Sequence, residues 1–208
     1  MGLTAILSDL DGVLVDSHAS IMRAWRWWGA LHGVESAAIE GVQHGRPSGE
    51  VIAALTPGLD AGAESRAIDL RQADDTDGVI ALPGARELFA GTDPLAVVTS
   101  CTVPLATARL HAAGLPVPEV LVTPERLSHG KPDPEGYLLA ASLLGAEPAD
   151  CLVFEDAPAG IEAGRAAGMH VVGITTTHAT EELDAHELAP SIATWLAARD
   201  IAGAQSGS

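Results

Sequence analysis

Residues 4–12 read TAILSDLDG. Thr4 to Leu7 is a short apolar run that stops at Ser8 and Asp9. A run of this kind, bounded by an acidic loop, reads as a buried strand. The same unit returns from Ala81 onward. Pro94 to Thr99 (PLAVVT), Glu119 to Thr123 (EVLVT), Cys151 to Phe154 (CLVF) and Met169 to Ile174 (MHVVGI) are further apolar strands. Helices are predicted between them, from Pro83-Gly84 through Phe89, over 104–113, from Asp133 to Leu144 and over 159–167. Gly114, Gly145 and Gly168 close the last three. Asp133-Pro134-Glu135 combines an N-cap residue, a proline at the first helical position and an acidic first turn. Strands alternating with helices predict a parallel sheet, and continuous apolar runs fit strands covered on both faces. The expected class is a doubly wound, Rossmann-like α/β fold.

The segment after the first strand has a different pattern. Ile21, Met22, Ala24, Trp25, Trp28 and Leu31 recur at helical spacing, with Gly33 behind them. Residues 48–56 and 62–74 also read as short helices, and nothing strand-like lies between Ser17 and Gly78. This is a helical insert. The expected organisation is an α/β core over 1–15 and 81–203, an α-helical cap over 16–80 and a disordered tail over 204–208. The hinges fall near Val15–Ser17 and Gly78–Pro83.

Composition narrows the function. The 208 residues are 47% hydrophobic and 19% charged, which suits one core domain with a small insert. Eleven basic against 28 acidic residues give a net charge of -17. That balance, without a basic run, argues against nucleic acid and anionic membranes as partners. No apolar stretch has the length of a bilayer-spanning helix, and the N-terminus lacks the basic and apolar regions of a signal peptide. Cys101 and Cys151 make no disulfide framework, so a reduced, cytoplasmic protein is expected. Lys131 is the single lysine.

In parallel α/β sheets ligands bind beyond the carboxyl ends of the strands. The residues there form a coherent set: Asp9 and Asp11 beside Gly12, Ser100, the segment leading to Lys131, and Glu155 with Asp156. Clustered carboxylates raise one another's pKa unless a cation is present. A hard divalent ion with oxygen ligands removes that penalty, and Mg²⁺ favours few carboxylates plus phosphate oxygens. Ser100 is expected at a helix start, where a hydroxyl and free N–H groups suit phosphate. Lys131 is a point charge for the same anion.

These residues carry a family resemblance. DLDGVLVDS at 9–17, VVTS at 97–100, HGKPDPEGY at 129–137 and VFEDAPAGIEAGRAAGM at 153–169 resemble, in order and spacing, the four motifs of the haloacid dehalogenase-like superfamily. The resemblance implies a nucleophile at Asp9, forming an aspartyl-phosphate, and a general acid then base at Asp11. It implies Mg²⁺ on Asp9, the backbone carbonyl of Asp11, Asp156 and, directly or through water, Glu155. Ser100 and Lys131 would hold the phosphoryl oxygens. VTSCT at 98–102, GKPDPEGYL at 130–138 and the cap string HGRPSGEVI at 44–52 are similar to the sugar and polyol phosphatases of that family, those acting on glycerol 3-phosphate and 2-deoxyglucose 6-phosphate. Arg46 on the cap string would reach substrate from above.

The implied activity is Mg²⁺-dependent hydrolysis of a small phosphorylated metabolite, a sugar or polyol phosphate, by a monomer. Three alternatives stay open: a haloacid dehalogenase, a β-phosphoglucomutase-type transferase, and a non-catalytic module on the same fold that would bind phosphate without turning it over. Haloacid dehalogenases lack the second aspartate, which is Asp11 here. β-Phosphoglucomutases carry a cap lysine and a cap histidine, whereas residues 16–80 here contain no lysine and the histidine position is Ile21. Phosphonate hydrolysis also needs a cap lysine. Plainer readings stand beside the sharp ones. Asp156 and Ser100 also read as helix caps, and Arg46 equally as a solvated loop arginine. Trp25, Trp27 and Trp28 read as packing of the insert, and Cys101 as a buried thiol. His18 at the first hinge and His44 on the cap string read as surface or structural residues ahead of site residues.

Overall fold

A computed structural model describes residues 3–43 and 48–206. The chain runs β1 (Ala5–Ser8), β2 (Val15–Asp16), α1 (His18–His32), α2 (Ser36–Gln43), α3 (Ser48–Leu55) and α4 (Ala61–Asp74). It continues with β3 (Ile80–Ala81), α5 (Ala85–Ala90), β4 (Leu95–Val98), α6 (Val103–Ala112), β5 (Val120–Val122) and α7 (Glu135–Leu144). The last elements are β6 (Cys151–Glu155), α8 (Pro158–Ala166), β7 (His170–Ile174), β8 (Glu187–Ala189) and α9 (Ile192–Ser206). Six strands form one sheet in the order β5-β4-β1-β6-β7-β8, every pair parallel. The expected doubly wound α/β class is observed. The strand order reverses at β1, which is flanked by β4 and β6. A crevice therefore opens beyond its carboxyl end.

Each strand sends alternate residues to opposite faces. Ile6, Val97, Leu152, Phe154 and Val172 join a cluster with Leu105, Leu110, Ile192 and Trp195 from α6 and α9. Ala5, Leu7, Val98, Val122 and Val153 join another with Tyr137, Ala140, Ala141 and Ile161 from α7 and α8. The apolar runs are continuous because both faces are covered. Trp195 meets Phe154 edge to face at 5.0 Å.

The insert has its own core. Ala24, Trp25, Trp28, Ile39, Val51, Ile52 and Ile68 are all buried there. Trp28 Nε1 donates to Glu64 at 2.9 Å, tying α1 to α4. The chain enters and leaves through β2 and β3, a short antiparallel pair with Val15 opposite Ala81 and Asp16 opposite Ile80. The hinge segments proposed from sequence are thus joined to each other, although residues 80–81 were not read as a strand. No helix among the described residues is long and apolar enough to cross a membrane.

Several elements differ from the sequence reading. α2 and β8 were not expected. Leu188 on β8 is exposed, and a three-residue strand carries too little apolar pattern to stand out. α9 was not expected either, and it extends to Ser206, so 204–206 are helical rather than disordered. α7 starts at Glu135, with Pro134 ahead of it; Asp133 Oδ1 still accepts the Glu135 N–H at 2.9 Å, so the capping contact survives. α6 spans Val103–Ala112 with Thr102 as its N-cap, so Ser100 lies in the loop ahead of the helix.

Gly84 fixes how α5 meets α9. Its φ is +94°, and a Cβ there would lie 2.2 Å from the Ala193 nitrogen. Gly84→Ala is expected to cost about 2 kcal/mol or more. Differential scanning calorimetry should then show the unfolding midpoint about 4–8 °C lower.

Candidate active site

β1 delivers Asp9 to the point where the strand order reverses. The Asp9 N–H donates to the Phe154 carbonyl on β6 at 2.9 Å, and Ser8 Oγ donates to the Asp9 carbonyl at 2.7 Å. The chain turns at Gly12, with φ +76°. A Cβ there would sit 2.1 Å from Asp156 Oδ2, so both the backbone and the neighbouring carboxylate exclude a side chain.

The loop after β5 brings Lys131 back over the sheet. The Glu135 carboxylate accepts the N–H groups of Ser128 and His129 at 2.8–3.1 Å and holds that loop. Lys131 Nζ donates to Asp9 Oδ1, to the Val98 carbonyl at 3.1 Å and to Glu155 Oε1 at 2.6 Å. Glu155 is buried at the end of β6. The Tyr137 hydroxyl donates to Oε1 at 2.8 Å, and the N–H groups of Asp156 and Ala157 donate to Oε2 at 3.0 and 3.3 Å. Gly160 makes room for it: a Cβ there would lie 1.7 Å from Oε1. Asp156 accepts from the Thr177 hydroxyl.

Asp9, Glu155 and Asp156 each offer an oxygen, and these lie within 4.8 Å of one another. Burial pushes the Asp9 carboxyl up to about 7, with Glu155 and Asp11 adding to the rise and Lys131 opposing it. Burial, then Asp9 and Glu155, push Asp156 well up. Burial acts to depress Lys131, yet Asp9 and Glu155 hold its ammonium well above the usual range. One lysine therefore faces three buried carboxylates. That residual negative charge, presented by oxygen donors, fits a hard divalent cation. His129, Asp133 and Glu135 also cluster, but His129 and Asp133 are exposed, and Glu135 already accepts the loop N–H groups described above.

A cavity of about 890 Å³ opens above these groups. The core supplies Asp9, Asp11, Ser100, Lys131, Glu155 and Asp156 to its wall. The insert supplies His18, Ile21 and Trp25 from α1, Ser48 and Gly49 from α3, and Ser65, Asp69 and Gln72 from α4. The volume suits a small ligand. Burial pushes Asp69 up to about 6, against the pull of Arg109.

All six core residues singled out from sequence thus meet at one cavity. Ser100 is exposed there. Trp28 is buried in the insert, while Trp25 both packs and lines the cavity. Arg46 and His44 lie outside the described residues. Sequence reasoning missed Tyr137, Thr177, Gln72 and Arg109. Arg109 did leave a signal, since it interrupts the buried stripe Leu105, Ala106 and Leu110 on α6. Tyr137 is the single tyrosine, sitting in the stretch that carries Lys131.

A family profile described as haloacid dehalogenase-like hydrolase matches residues 3–168. The chain belongs to that family. It is 41% identical to hexitol phosphatase A of Escherichia coli K12, over 90% of both chains. It is 33% identical to 2-deoxyglucose-6-phosphate phosphatase 2 of Saccharomyces cerevisiae, over 83% of this chain and 80% of that one. The structure of CbbY from Rhodobacter sphaeroides in complex with phosphate superposes with a TM-score of 0.78 at 25% identity, covering 92% of this chain and 95% of the other. A beta-phosphoglucomutase of Bacillus subtilis is 52% identical over 54 residues, only 26% of this chain and 24% of that one. As a haloacid dehalogenase-like hydrolase with relatives named as phosphatases, the chain is an enzyme.

The clamp on Lys131 can be read chemically, because no other lysine competes. Gly160→Ala must displace Glu155, and Tyr137→Phe removes one of its donors. With Glu155 displaced, the Lys131 pKa falls and more neutral amine is present. Peptide mapping after brief acetylation at fixed pH should show Lys131 modified faster in Gly160→Ala than in wild type. An unchanged rate would count against the clamp.

Proposed function

We propose that this hydrolase is a Mg²⁺-dependent phosphomonoesterase acting on a small sugar or polyol phosphate through an aspartyl-phosphate on Asp9. The observation that carries this reading is the convergence of Asp9, Lys131, Glu155 and Asp156 at the carboxyl end of β1. An anionic nucleophile meeting an anionic phosphate needs positive charge close by. Lys131 supplies part of it. Mg²⁺ on Asp9, the Asp11 carbonyl and Asp156, with Glu155 behind them, would supply the rest by offsetting charge on the carboxylates and the phosphoryl oxygens.

Asp9 attacks phosphorus while Asp11 protonates the departing oxygen. Asp11 then takes a proton from the water that hydrolyses the acyl phosphate. Ser100 and Lys131 hold the phosphoryl oxygens, and the Glu155 carboxylate keeps Lys131 in place. The helical insert acts as a cap that excludes water and meets the leaving group. Arg46 would contribute from the cap string. The names of the relatives support a sugar or polyol phosphate as substrate. We read the enzyme as a cytoplasmic monomer acting on a small metabolite, without nucleic acid or membrane as partner. A mutase is disfavoured because the insert holds no lysine and places Ile21 on the cavity wall. A dehalogenase is disfavoured by Asp11.

Phosphate release from glycerol 3-phosphate, hexitol phosphates, 2-deoxyglucose 6-phosphate and β-glucose 1-phosphate tests the reading. Release should require Mg²⁺ and stop with chelator; isomerisation of β-glucose 1-phosphate without net release would favour the mutase. Asp9→Asn should reduce release to background while circular dichroism stays native. Residual turnover would remove Asp9 as nucleophile. Lys131→Ala should lower kcat/KM by about 10²–10³-fold, the scale of losing one charged oxyanion donor. A rate near wild type would place Lys131 outside the chemistry.

A further inference from the structure

Asp11 is held by contacts that lead out of the core and into the insert. Ser17 Oγ donates to its Oδ1 at 2.6 Å. Its Oδ2 takes the Cys101 thiol at 2.9 Å and Nη1 of Arg109. Arg109 Nη1 also lies 2.8 Å from Cys101 Sγ, and its Nη2 donates to the side-chain oxygen of Gln72. Gln72 belongs to α4, the helix of the insert that lies against α6. One turn earlier on α4, Asp69 lines the same cavity.

Arg109 and Gln72 are 2% and 5% exposed. A guanidinium so deeply buried is costly unless acceptors use its donors. Here the two arms of one rigid fork address two acceptors on different parts of the fold. A lysine, as a point charge, cannot hold both at a fixed angle. The direction in which the Asp11 carboxylate points is therefore tied to where α4 lies.

Resting on the phosphomonoesterase reading above, we propose that Arg109 is a positioning residue that aligns Asp11 with the cap through Gln72, so that Asp11 is aimed only when α4 is seated on α6. The consequence falls on one step. As Asp9 bonds to phosphorus, the bond from phosphorus to the leaving oxygen breaks. An alkoxide leaving group must take its proton from Asp11, whereas p-nitrophenolate departs without one. Misaiming Asp11 therefore penalises alkyl esters more than aryl esters.

The test compares kcat/KM for a hexitol phosphate and for p-nitrophenyl phosphate, with Mg²⁺, in wild type, Gln72→Leu, Gln72→Glu and Arg109→Lys. The alkyl-to-aryl ratio should fall by about ten-fold or more in Gln72→Leu and Arg109→Lys, within the range of general-acid contributions. Gln72→Glu keeps an acceptor for Arg109 and should return the ratio toward wild type. If Arg109→Lys does not fold, Gln72→Leu decides alone. Equal losses on both esters, or an unmoved ratio, would overturn the positioning role and leave the phosphatase reading intact. Wild-type turnover of neither ester would overturn both together.

Discussion

Like charges do not share a buried site without an offset, and this constraint shapes the centre of the molecule. Asp9, Glu155 and Asp156 are all buried and close together. The chain carries 28 acidic residues and one lysine, and that lysine is spent here. Each carboxylate is fitted with donors: Lys131 on Asp9, a hydroxyl and two N–H groups on Glu155, and a threonine hydroxyl on Asp156. Room for this is made by omission. Gly12 and Gly160 stand where any side chain would enter a carboxylate. What protein donors leave unbalanced is the negative charge that a divalent cation would offset in the proposed reaction.

The sheet makes such crowding possible. Parallel strands place their carboxyl ends on one rim, and the order reversal at β1 separates the helices that would otherwise close it. Asp9 from β1 and Glu155 from β6 are neighbours because these strands pair in register, Ser8 beside Phe154. Lys131 comes from a long loop, and the backbone donors it offers to Glu135 hold that loop near the rim. Cavity walls from α1, α3 and α4 complete the site. In the proposed reaction the chemistry falls on the rim, while the surfaces that would face the leaving group sit on an element with its own core.

Much of this was legible in the chain. Strands buried on both faces read as continuous apolar runs, so β1, β4, β5, β6 and β7 stood out, and the residues just past them gave the candidate site. The insert announced itself through Trp25, Trp28 and their helical spacing. What escaped had weak local signals. β8 has only three residues, and α9 follows it without a strong apolar stripe. Ser100 was read as a helix-start residue from its place just past β4, whereas a bend over Ser100 and Cys101 separates it from α6, which begins at Val103.

By itself the sequence determined the fold class, and it offered the insert, the strand-end carboxylates and the lysine as candidates, because period, strand ends and a unique residue type are local properties. Only the tertiary structure decided which groups touch. Arg109 reaches Asp11 across 98 positions and Gln72 across 37; Tyr137 reaches Glu155 across 18. No local pattern encodes such pairings. They follow from how two helices meet over a sheet, and from the requirement that each buried charge find a partner once water is gone.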